Sequence, residues 1–272
     1  MESIKELRVK LQTNVLGHPI LQRVLSIYIT RVFLATDMTA NQVSVLMLLV
    51  GVVGAVPFFF GYFWLGLALS YLGVLLDASD GEVARYRKTY SLQGIYIDLV
   101  NHLVTQELFF LGLGFAVAQS QSGWIQTAVL VFAVLGALAL SVRRANGDLH
   151  RELFAHQYSD HPERFHLPTV TVQGSEMSDF DSEAPHASSG PINLVKRALY
   201  LSGYHAVMIV IVAVALIGEM VVLPGNHTHP VVALLVVFYA SMWCIYLTRE
   251  VVAGYYNVEK RVAAIKEKLA SK

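Results

Sequence analysis

Residues 75–104 read LLDASDGEVARYRKTYSLQGIYIDLVNHLV, a polar segment set between two long apolar runs. Ionisable residues next to such runs are costly to bury in a membrane, and by default they mark a functional site. The whole chain is 55% hydrophobic and only 15% charged, whereas an ordinary soluble domain is about 25% charged. The composition therefore excludes a typical water-soluble enzyme and indicates a membrane protein with a polar site in this segment.

Six stretches of the sequence are apolar enough to span a membrane, because a spanning helix needs about 20 mostly apolar residues. They cover residues 41–61, 63–84, 93–119, 122–142, 194–223 and 230–254. The polar segment links the second stretch to the third. We therefore predict an all-α integral membrane protein with six transmembrane helices.

The N-terminal residues carry apolar side chains at helical spacing beside Arg23 and Arg31, which is typical of an amphipathic helix at the membrane interface. A loop rich in acidic residues follows the fourth stretch, and a charged tail follows the sixth. The predicted organisation is 1–38 as N-terminal cytoplasmic or interfacial helices, 39–144 as the first four transmembrane helices with the motif at 77–102, 145–192 as an acidic cytoplasmic loop, 193–255 as the last two transmembrane helices, and 256–272 as a charged C-terminal cytoplasmic helix.

The basic residues lie on one side of this predicted topology. The connections near 61–64, 120–124 and 224–229 contain none of the 20 lysines and arginines. Because basic residues flank spans on the cytoplasmic side, we predict that both termini and the polar segment are cytoplasmic. For a prokaryotic source, the membrane would be the plasma (inner) membrane. The net charge of zero gives no general attraction for nucleic acid, and we expect no nucleic-acid partner.

Three carboxylates of the polar segment have the spacing needed to meet. Asp77 and Asp80 share one helix face, and Asp98 and His102 share a stripe at the start of the next helix. Converging carboxylates repel one another unless cations lie between them, and Mg²⁺ and Mn²⁺ prefer oxygen ligands and often share them with substrate phosphates. Basic residues line the predicted rim at Arg85, Arg87 and Lys88. The pattern indicates phosphoryl-group transfer involving a membrane lipid.

At these residues the chain resembles the CDP-alcohol phosphotransferases, integral-membrane enzymes of phospholipid synthesis. Their signature is D-x-x-D-G-x-x-A-R-x8-G-x3-D-x3-D. Seven of its residues stand here at the required spacing, namely Asp77, Asp80, Gly81, Ala84, Arg85, Gly94 and Asp98. A second family segment, T-P-N-x-x-T/S, is similar to residues 39–44, which read TANQVS and lack the proline.

The resemblance implies that an acceptor hydroxyl attacks the β-phosphorus of a CDP-linked alcohol and releases CMP. The commonest donor in the family is CDP-diacylglycerol. Two divalent ions, Mg²⁺ or Mn²⁺, are expected at Asp77, Asp80, Asp98 and His102. The nucleotide is expected at Asn41, Asp77, Gly81, Ala84 and Arg85. Family members commonly form homodimers, so the resemblance also implies a homodimer within the lipid bilayer.

His102 departs from the signature, because the family has a fourth aspartate at this position. The family residue is regarded as the general base that takes the acceptor's proton, and imidazole can do so at neutral pH. A nitrogen ligand favours Mn²⁺ over Mg²⁺, and three carboxylates compensate two ions less well than four. We expect a weaker second metal or a manganese preference. The alternative is that His102 is a packing histidine, in a protein whose base lies elsewhere or which has lost activity.

Three arginines are candidates for binding the acceptor or its phosphate, although the positive-inside rule explains them equally well. They are Arg31, Arg143 and Arg144. Other functions remain open: a transferase that uses a soluble CDP-alcohol with a lipid acceptor, an inactive membrane scaffold, and a cation transporter that uses the same carboxylates. A transporter would place ionisable groups deep in several spans. Outside the polar segment, isolated ones such as Glu107 and Glu219 occur, which favours the enzyme.

Overall fold

The computed structural model describes residues 4–11, 20–89, 91–160, 205–225 and 227–270. Within these ranges every regular element is an α-helix, as the composition predicted. We number the helices in chain order as α1 (Ile4–Lys10), α2 (Ile20–Leu34), α3 (Ala40–Phe59), α4 (Phe63–Arg87), α5 (Leu92–Gln119), α6 (Gly123–Asp160), α7 (His205–Val222) and α8 (Pro230–Ala270).

Six of these helices, α3 to α8, are long and apolar enough to cross a membrane. In α6 and α8 the apolar part ends at Asn146 and Asn257, and the helix continues beyond it. The prediction of an all-α protein with six transmembrane helices, preceded by the shorter helix α2, is confirmed. Short connections make α3 to α6 run alternately up and down the bundle.

Residues 145–160, which we assigned to the acidic loop, instead continue α6 as far as Asp160. The reason is local, because this stretch contains no proline and the first one follows at Pro162. A helix that has already formed extends without a further nucleation cost until a helix-breaking residue ends it. The remainder of the predicted loop, residues 161–192, and the first part of the fifth predicted span, residues 194–204, lie outside the described residues.

Helix α3 is the centre of the first half of the bundle, since it packs along both α4 and α5. Gly51 of α3 lies against Gly73 of α4. A Cβ added to Gly73 would be 3.4 Å from the Gly51 Cα. On its other side Gly51 faces the Thr105 side chain of α5, with no room for a Cβ. Small residues of this kind let helix backbones approach closely. The beginning of α3 therefore lies beside the end of α4 and the beginning of α5.

The second half of the bundle holds α5 in place through a buried aromatic cluster. Helices α6 and α8 pack along each other, and α5 packs against both. The ring centroids of Phe110 on α5 and Trp243 on α8 are 4.7 Å apart, and those of Phe109 and Phe58 are 5.4 Å apart. Buried rings in edge-to-face contact contribute large apolar areas to a core. The position of the polar start of α5 is thus fixed by packing further along the helix.

Helix α2 turns polar side chains towards α4 and apolar side chains outwards. Glu82 of α4 is 1% exposed and accepts hydrogen bonds from Ser26 Oγ at 3.0 Å and Thr30 Oγ1 at 2.5 Å. On the opposite face Tyr28 and Val32 are exposed. A buried carboxylate requires such donors. Helix α2 is therefore tied to α4 by hydrogen bonds, while its exposed apolar face suits a membrane interface.

Glu219, an isolated acid in the sequence, has a structural function at the other end of the bundle. It is 4% exposed and accepts hydrogen bonds from the backbone N–H groups of Val231 and Val232, at the start of α8. Its other carboxylate oxygen lies 3.0 Å from His229 Nδ1. An acidic side chain at a helix N-terminus satisfies unpaired backbone donors and the helix dipole. Glu219 therefore does not indicate an ion pathway.

We expect Thr30→Val to destabilise the protein, because it removes one donor from the buried Glu82 carboxylate while keeping the side-chain volume. The expected loss is about 1–3 kcal/mol, seen as a lower thermal unfolding temperature in detergent. Thr248→Val is the matched control, since the exposed Thr248 hydroxyl donates to the Cys244 carbonyl of its own helix. Equal unfolding temperatures for the two variants would contradict the importance of the α2–α4 hydrogen bonds.

Candidate active site

The end of α4 and the beginning of α5 bring two carboxylates and an imidazole together. His102 Nε2 lies 3.5 Å from Asp98 Oδ1, one turn earlier on α5, and 3.7 Å from Asp77 Oδ1 on α4. One ligand atom from each of the three residues lies within 4.8 Å of the others. The side chains of Asp98 and His102 are close to half exposed. The cluster is therefore open to small molecules.

This donor set fits a divalent ion. Ligands about 2.1 Å from an octahedral ion are about 3 Å apart when adjacent and about 4 Å apart when opposite. The observed separations of 3.5 and 3.7 Å lie between these values. Two carboxylates and one imidazole suit Mn²⁺ or Mg²⁺, and the open side leaves positions for water or phosphate oxygens.

Asp80 lies apart from this cluster, towards α3. It is 9% exposed, and its Oδ2 accepts a hydrogen bond of 2.7 Å from Ser44 Oγ. Its Oδ1 accepts a hydrogen bond of 2.5 Å from the backbone N–H of Gly81. Of the four predicted metal ligands, the structure therefore groups Asp77, Asp98 and His102, and it holds Asp80 at the side through the Ser44 hydroxyl.

Asn41 connects the beginnings of α3 and α5. Its Oδ1 accepts a hydrogen bond of 2.7 Å from Ser91 Oγ, and Ser91 in turn caps α5 by accepting from Gly94 N. A Cβ on Gly94 would lie only 2.9 Å from Asn41 Oδ1. Helices α4 and α5 touch only slightly, so Gly94 makes room for Asn41 of α3 rather than for α4.

Arg85 and Arg23 form a pair of cations beside Gly81. The guanidinium of Arg85 folds back along α4, with Nη1 3.4 Å from where a Gly81 Cβ would lie. The charge of Arg85 acts on Arg23 of α2: burial, together with the Arg85 guanidinium, lowers the pKa of Arg23 below its ordinary value, while Glu82 opposes that shift. Neighbouring guanidiniums of this kind are suited to phosphate groups. Ala84 stands between Gly81 and Arg85 in the sequence of α4.

Arg87 and Lys88, assigned to the rim from sequence, lie at the end of α4. Arg87 donates hydrogen bonds to three carbonyl groups, one in the last turn of α2 and two in the connection between α2 and α3. They belong to Phe33, Thr36 and Met38, at 3.2, 2.6 and 2.6 Å. Lys88 caps α4 with a left-handed backbone, φ 53°. Arg87 therefore fixes the loop that leads into Asn41 rather than facing the cluster.

The three arginines predicted to bind the acceptor lie in different places. Arg144 of α6 donates a hydrogen bond of 2.6 Å to Gln106 Oε1, one turn beyond His102 on α5. Arg143 forms an ion pair with Glu250 of α8, at 3.1 Å. Arg31 lies in the last turn of α2. The structure thus brings Arg144 towards the cluster and directs Arg143 towards α8.

Asn101 is a contact that the sequence did not predict. It is 5% exposed, and its Nδ2 lies 3.5 Å from Asp77 Oδ1. Helical spacing places Asn101 on a different face from Asp98 and His102, so the sequence pattern does not indicate that it reaches the cluster. It reaches Asp77 because α3 and α4 lie on that side of α5, where Asn101 O also accepts from Thr105 Oγ1.

Comparisons with known proteins agree with this geometry. A sequence model of the CDP-alcohol phosphatidyltransferase family matches residues 37–172, half of the 272 residues. Among solved structures, the chain is similar to the phosphatidylinositol phosphate synthase of Mycobacterium tuberculosis, crystallised with CDP-DAG bound. The TM-score is 0.54 at 15% identity, over 84% of this chain and 92% of that chain, so the likeness is one of fold. No curated protein matches the sequence significantly.

We expect the purified protein to bind Mn²⁺ at the cluster, and Asp98→Asn to weaken that binding by at least about tenfold, since it removes a direct ligand. Electron paramagnetic resonance measures free and bound Mn²⁺. Nitrogen hyperfine coupling to the bound ion, lost in His102→Ala, would identify the imidazole ligand. The control is Asp37→Asn, which alters an exposed acid outside the cluster. Unchanged affinity in Asp98→Asn would contradict this metal site.

Proposed function

The chain belongs to the CDP-alcohol phosphatidyltransferase family, and from this premise we propose the donor and the residues of its reaction. It is a multi-pass membrane phosphotransferase of phospholipid synthesis. We propose that the donor is CDP-diacylglycerol and that the acceptor is a small alcohol. The observation that carries the proposal is the open cluster of Asp77, Asp98 and His102 within the matched region. The CDP-DAG bound to the structural relative supports the choice of donor.

The reaction transfers a phosphatidyl group to a hydroxyl. The acceptor oxygen forms a bond to the β-phosphorus, and the bond from that phosphorus to the bridging oxygen breaks, so that CMP leaves. His102 takes the acceptor's proton at Nε2; because this nitrogen has a single lone pair, it does so while it is not coordinated to a metal ion. Asp98, 3.5 Å away, orients the ring and stabilises the imidazolium that forms.

A divalent ion held by Asp77, Asp98 and His102 would neutralise the diphosphate and stabilise the charge that moves onto the leaving CMP. We propose Mg²⁺ or Mn²⁺ as this ion, with a second ion whose ligands include Asp80. The Ser44 hydroxyl holds the Asp80 carboxylate in one orientation. Each oxygen of that carboxylate keeps a lone pair for a metal.

The nucleotide and diphosphate would lie between the beginning of α3 and the end of α4. Asn41 offers its amide at the start of α3, and Gly81 and Ala84 leave room along α4. The paired guanidiniums of Arg85 and Arg23 would bind phosphate oxygens. Arg144 is the candidate for the acceptor, because Gln106 holds it close to His102. Arg31 and Arg143 stay predictions as acceptor residues.

We propose that the active-site end of the bundle faces the cytoplasm of a plasma (inner) membrane. The arginines of the α4 end and of α6 support this orientation, and the connections at the opposite end contain no Lys or Arg. In that orientation a soluble acceptor reaches the cluster from the cytoplasm, and the lipid tails of the donor stay in the bilayer. A homodimer also stays a prediction.

We expect detergent-purified protein to release CMP from CDP-diacylglycerol when a hydroxyl acceptor and Mn²⁺ or Mg²⁺ are supplied. Asp80→Asn should lose this release. His102→Ala should also lose turnover, because the acceptor keeps its proton, while metal-dependent CDP binding persists. Full activity in His102→Ala would remove His102 from the mechanism. Absence of metal-dependent CDP binding in the wild type would contradict the proposed function itself.

The metal preference tests the role of the imidazole ligand. We expect the wild type to be more active with Mn²⁺ than with Mg²⁺, because nitrogen ligands favour the former. His102→Asp restores the carboxylate of the family signature and should shift the preference towards Mg²⁺. The ratio of kcat/KM with the two ions is the measurement. An unchanged ratio in His102→Asp would show that His102 does not contact the ion.

A further inference from the structure

Three helices bring polar side chains into the interior of the bundle beneath His102, that is, further from the end of the bundle that carries the cluster. Gln106 lies one turn beyond His102 on the same face of α5 and is 5% exposed. It accepts a hydrogen bond of 2.6 Å from Arg144 Nη2. Arg144 also acts electrostatically on Asp77 of the cluster. The guanidinium is therefore held inside the bundle, next to the candidate metal site.

His205, the first residue of α7, lies on this same side of α5. Its ring centroid is 5.1 Å from that of Phe109, which stands two turns beyond His102. The charges of Arg144 and His102 both act on the His205 ring. His205 Nε2 is buried and has no hydrogen-bond partner within the described residues. Buried polar atoms are nearly always hydrogen-bonded, so this nitrogen points to a ligand that supplies its partner.

Glu107 is a second buried group without a partner in the described part of the chain. It is 6% exposed, and neither carboxylate oxygen has a hydrogen-bond partner. Ser141, on the neighbouring helix α6, is close enough to act on the Glu107 carboxylate, but its hydroxyl donates to the carbonyl of Ala137, at 3.2 Å. The positive charge of Arg144 acts on Glu107 as well. The region beneath His102 thus contains one guanidinium and one carboxylate.

We propose that His205, Gln106 and Arg144 form the subsite for the acceptor alcohol, and that Glu107 restricts it to acceptors without net charge. This inference rests on the proposed transferase function. An acceptor whose hydroxyl reaches His102 extends its remaining atoms about one helical turn deeper, about 5 Å. That depth is level with Gln106 and the groups around it.

The charges of the subsite select the class of acceptor. A polyol or a zwitterionic hydroxy amino acid can satisfy His205 Nε2 and balance Arg144 against Glu107. A dianionic phosphate would bring a like charge near the Glu107 carboxylate, where low polarity strengthens the repulsion. The acceptor is therefore a small alcohol that is neutral overall, either uncharged or zwitterionic.

The test compares four acceptors with CDP-diacylglycerol and Mn²⁺, following CMP release by the purified full chain. L-serine is the zwitterion, glycerol and myo-inositol are the uncharged alcohols, and sn-glycerol 3-phosphate is the dianion. We expect kcat/KM for L-serine or one of the uncharged alcohols to exceed that for sn-glycerol 3-phosphate by about tenfold or more. Whether L-serine or one of the uncharged alcohols is preferred shows which of the two neutral classes the subsite selects.

Two variants test the named residues. His205→Phe keeps the contact with Phe109 but removes the ring nitrogens, and it should raise the acceptor KM by about tenfold with little change in kcat or in CDP affinity. Trp243→Phe is the matched control, because Trp243 Nε1 on α8 is another buried ring nitrogen that has no hydrogen-bond partner among the residues the structure describes. Glu107→Gln should raise the relative kcat/KM for sn-glycerol 3-phosphate by about tenfold.

Several outcomes would overturn the inference. They are a wild-type preference for sn-glycerol 3-phosphate, a relative kcat/KM for sn-glycerol 3-phosphate that Glu107→Gln leaves unaltered, an acceptor KM unaffected by His205→Phe, and CDP binding without CMP release for any neutral acceptor. In each case metal-dependent CDP binding keeps the donor side of the proposed function intact. Loss of both CDP binding and CMP release in the wild type would instead contradict the transferase function.

Discussion

Acidic side chains at one end of a membrane bundle need hydrogen-bond donors or cations around them, because a buried charge without compensation is costly. The structure meets this need in two ways. Glu82 and Asp80 accept hydrogen bonds from hydroxyl groups of α2 and α3. Asp77 and Asp98 instead face each other and His102. Glu82 thereby ties α2 to α4, and Asp80 is held in one orientation beside the cluster. Asp77 and Asp98 are the acids that a divalent ion would complete.

The position of α3 connects packing with chemistry. Its glycine-mediated contacts with α4 and α5 bring Asn41 and Ser44, one turn apart, between the two helices of the signature. Ser44 then contacts Asp80, and Asn41 contacts Ser91 at the start of α5. The two motifs that carry the family resemblance are thus joined by hydrogen bonds. Because the packing of α3 against α4 and α5 brings the two motifs together, residues far apart in the chain form one site.

Hydropathy predicted the six spans, because each crossing helix carries its own apolar signal. Spacing within one helix also placed Asp98 beside His102. The remaining contacts depend on how helices pack, which local periodicity does not contain. Asn101 reaches Asp77 only because α3 and α4 lie on its face of α5. Arg87 was assigned to the rim of the site, but it instead donates hydrogen bonds to carbonyl groups of the α2–α3 connection.

The central claim is that Asp77, Asp98 and His102 bind a catalytic divalent ion beside the nucleotide. Crystals of the full chain grown with CDP and Mn²⁺, measured at the manganese absorption edge, test it most directly. We predict an anomalous peak within coordination distance of all three side chains, with the CDP diphosphate next to it. CDP bound near Asn41 with no manganese peak at the cluster, or with the peak elsewhere, would contradict the claim.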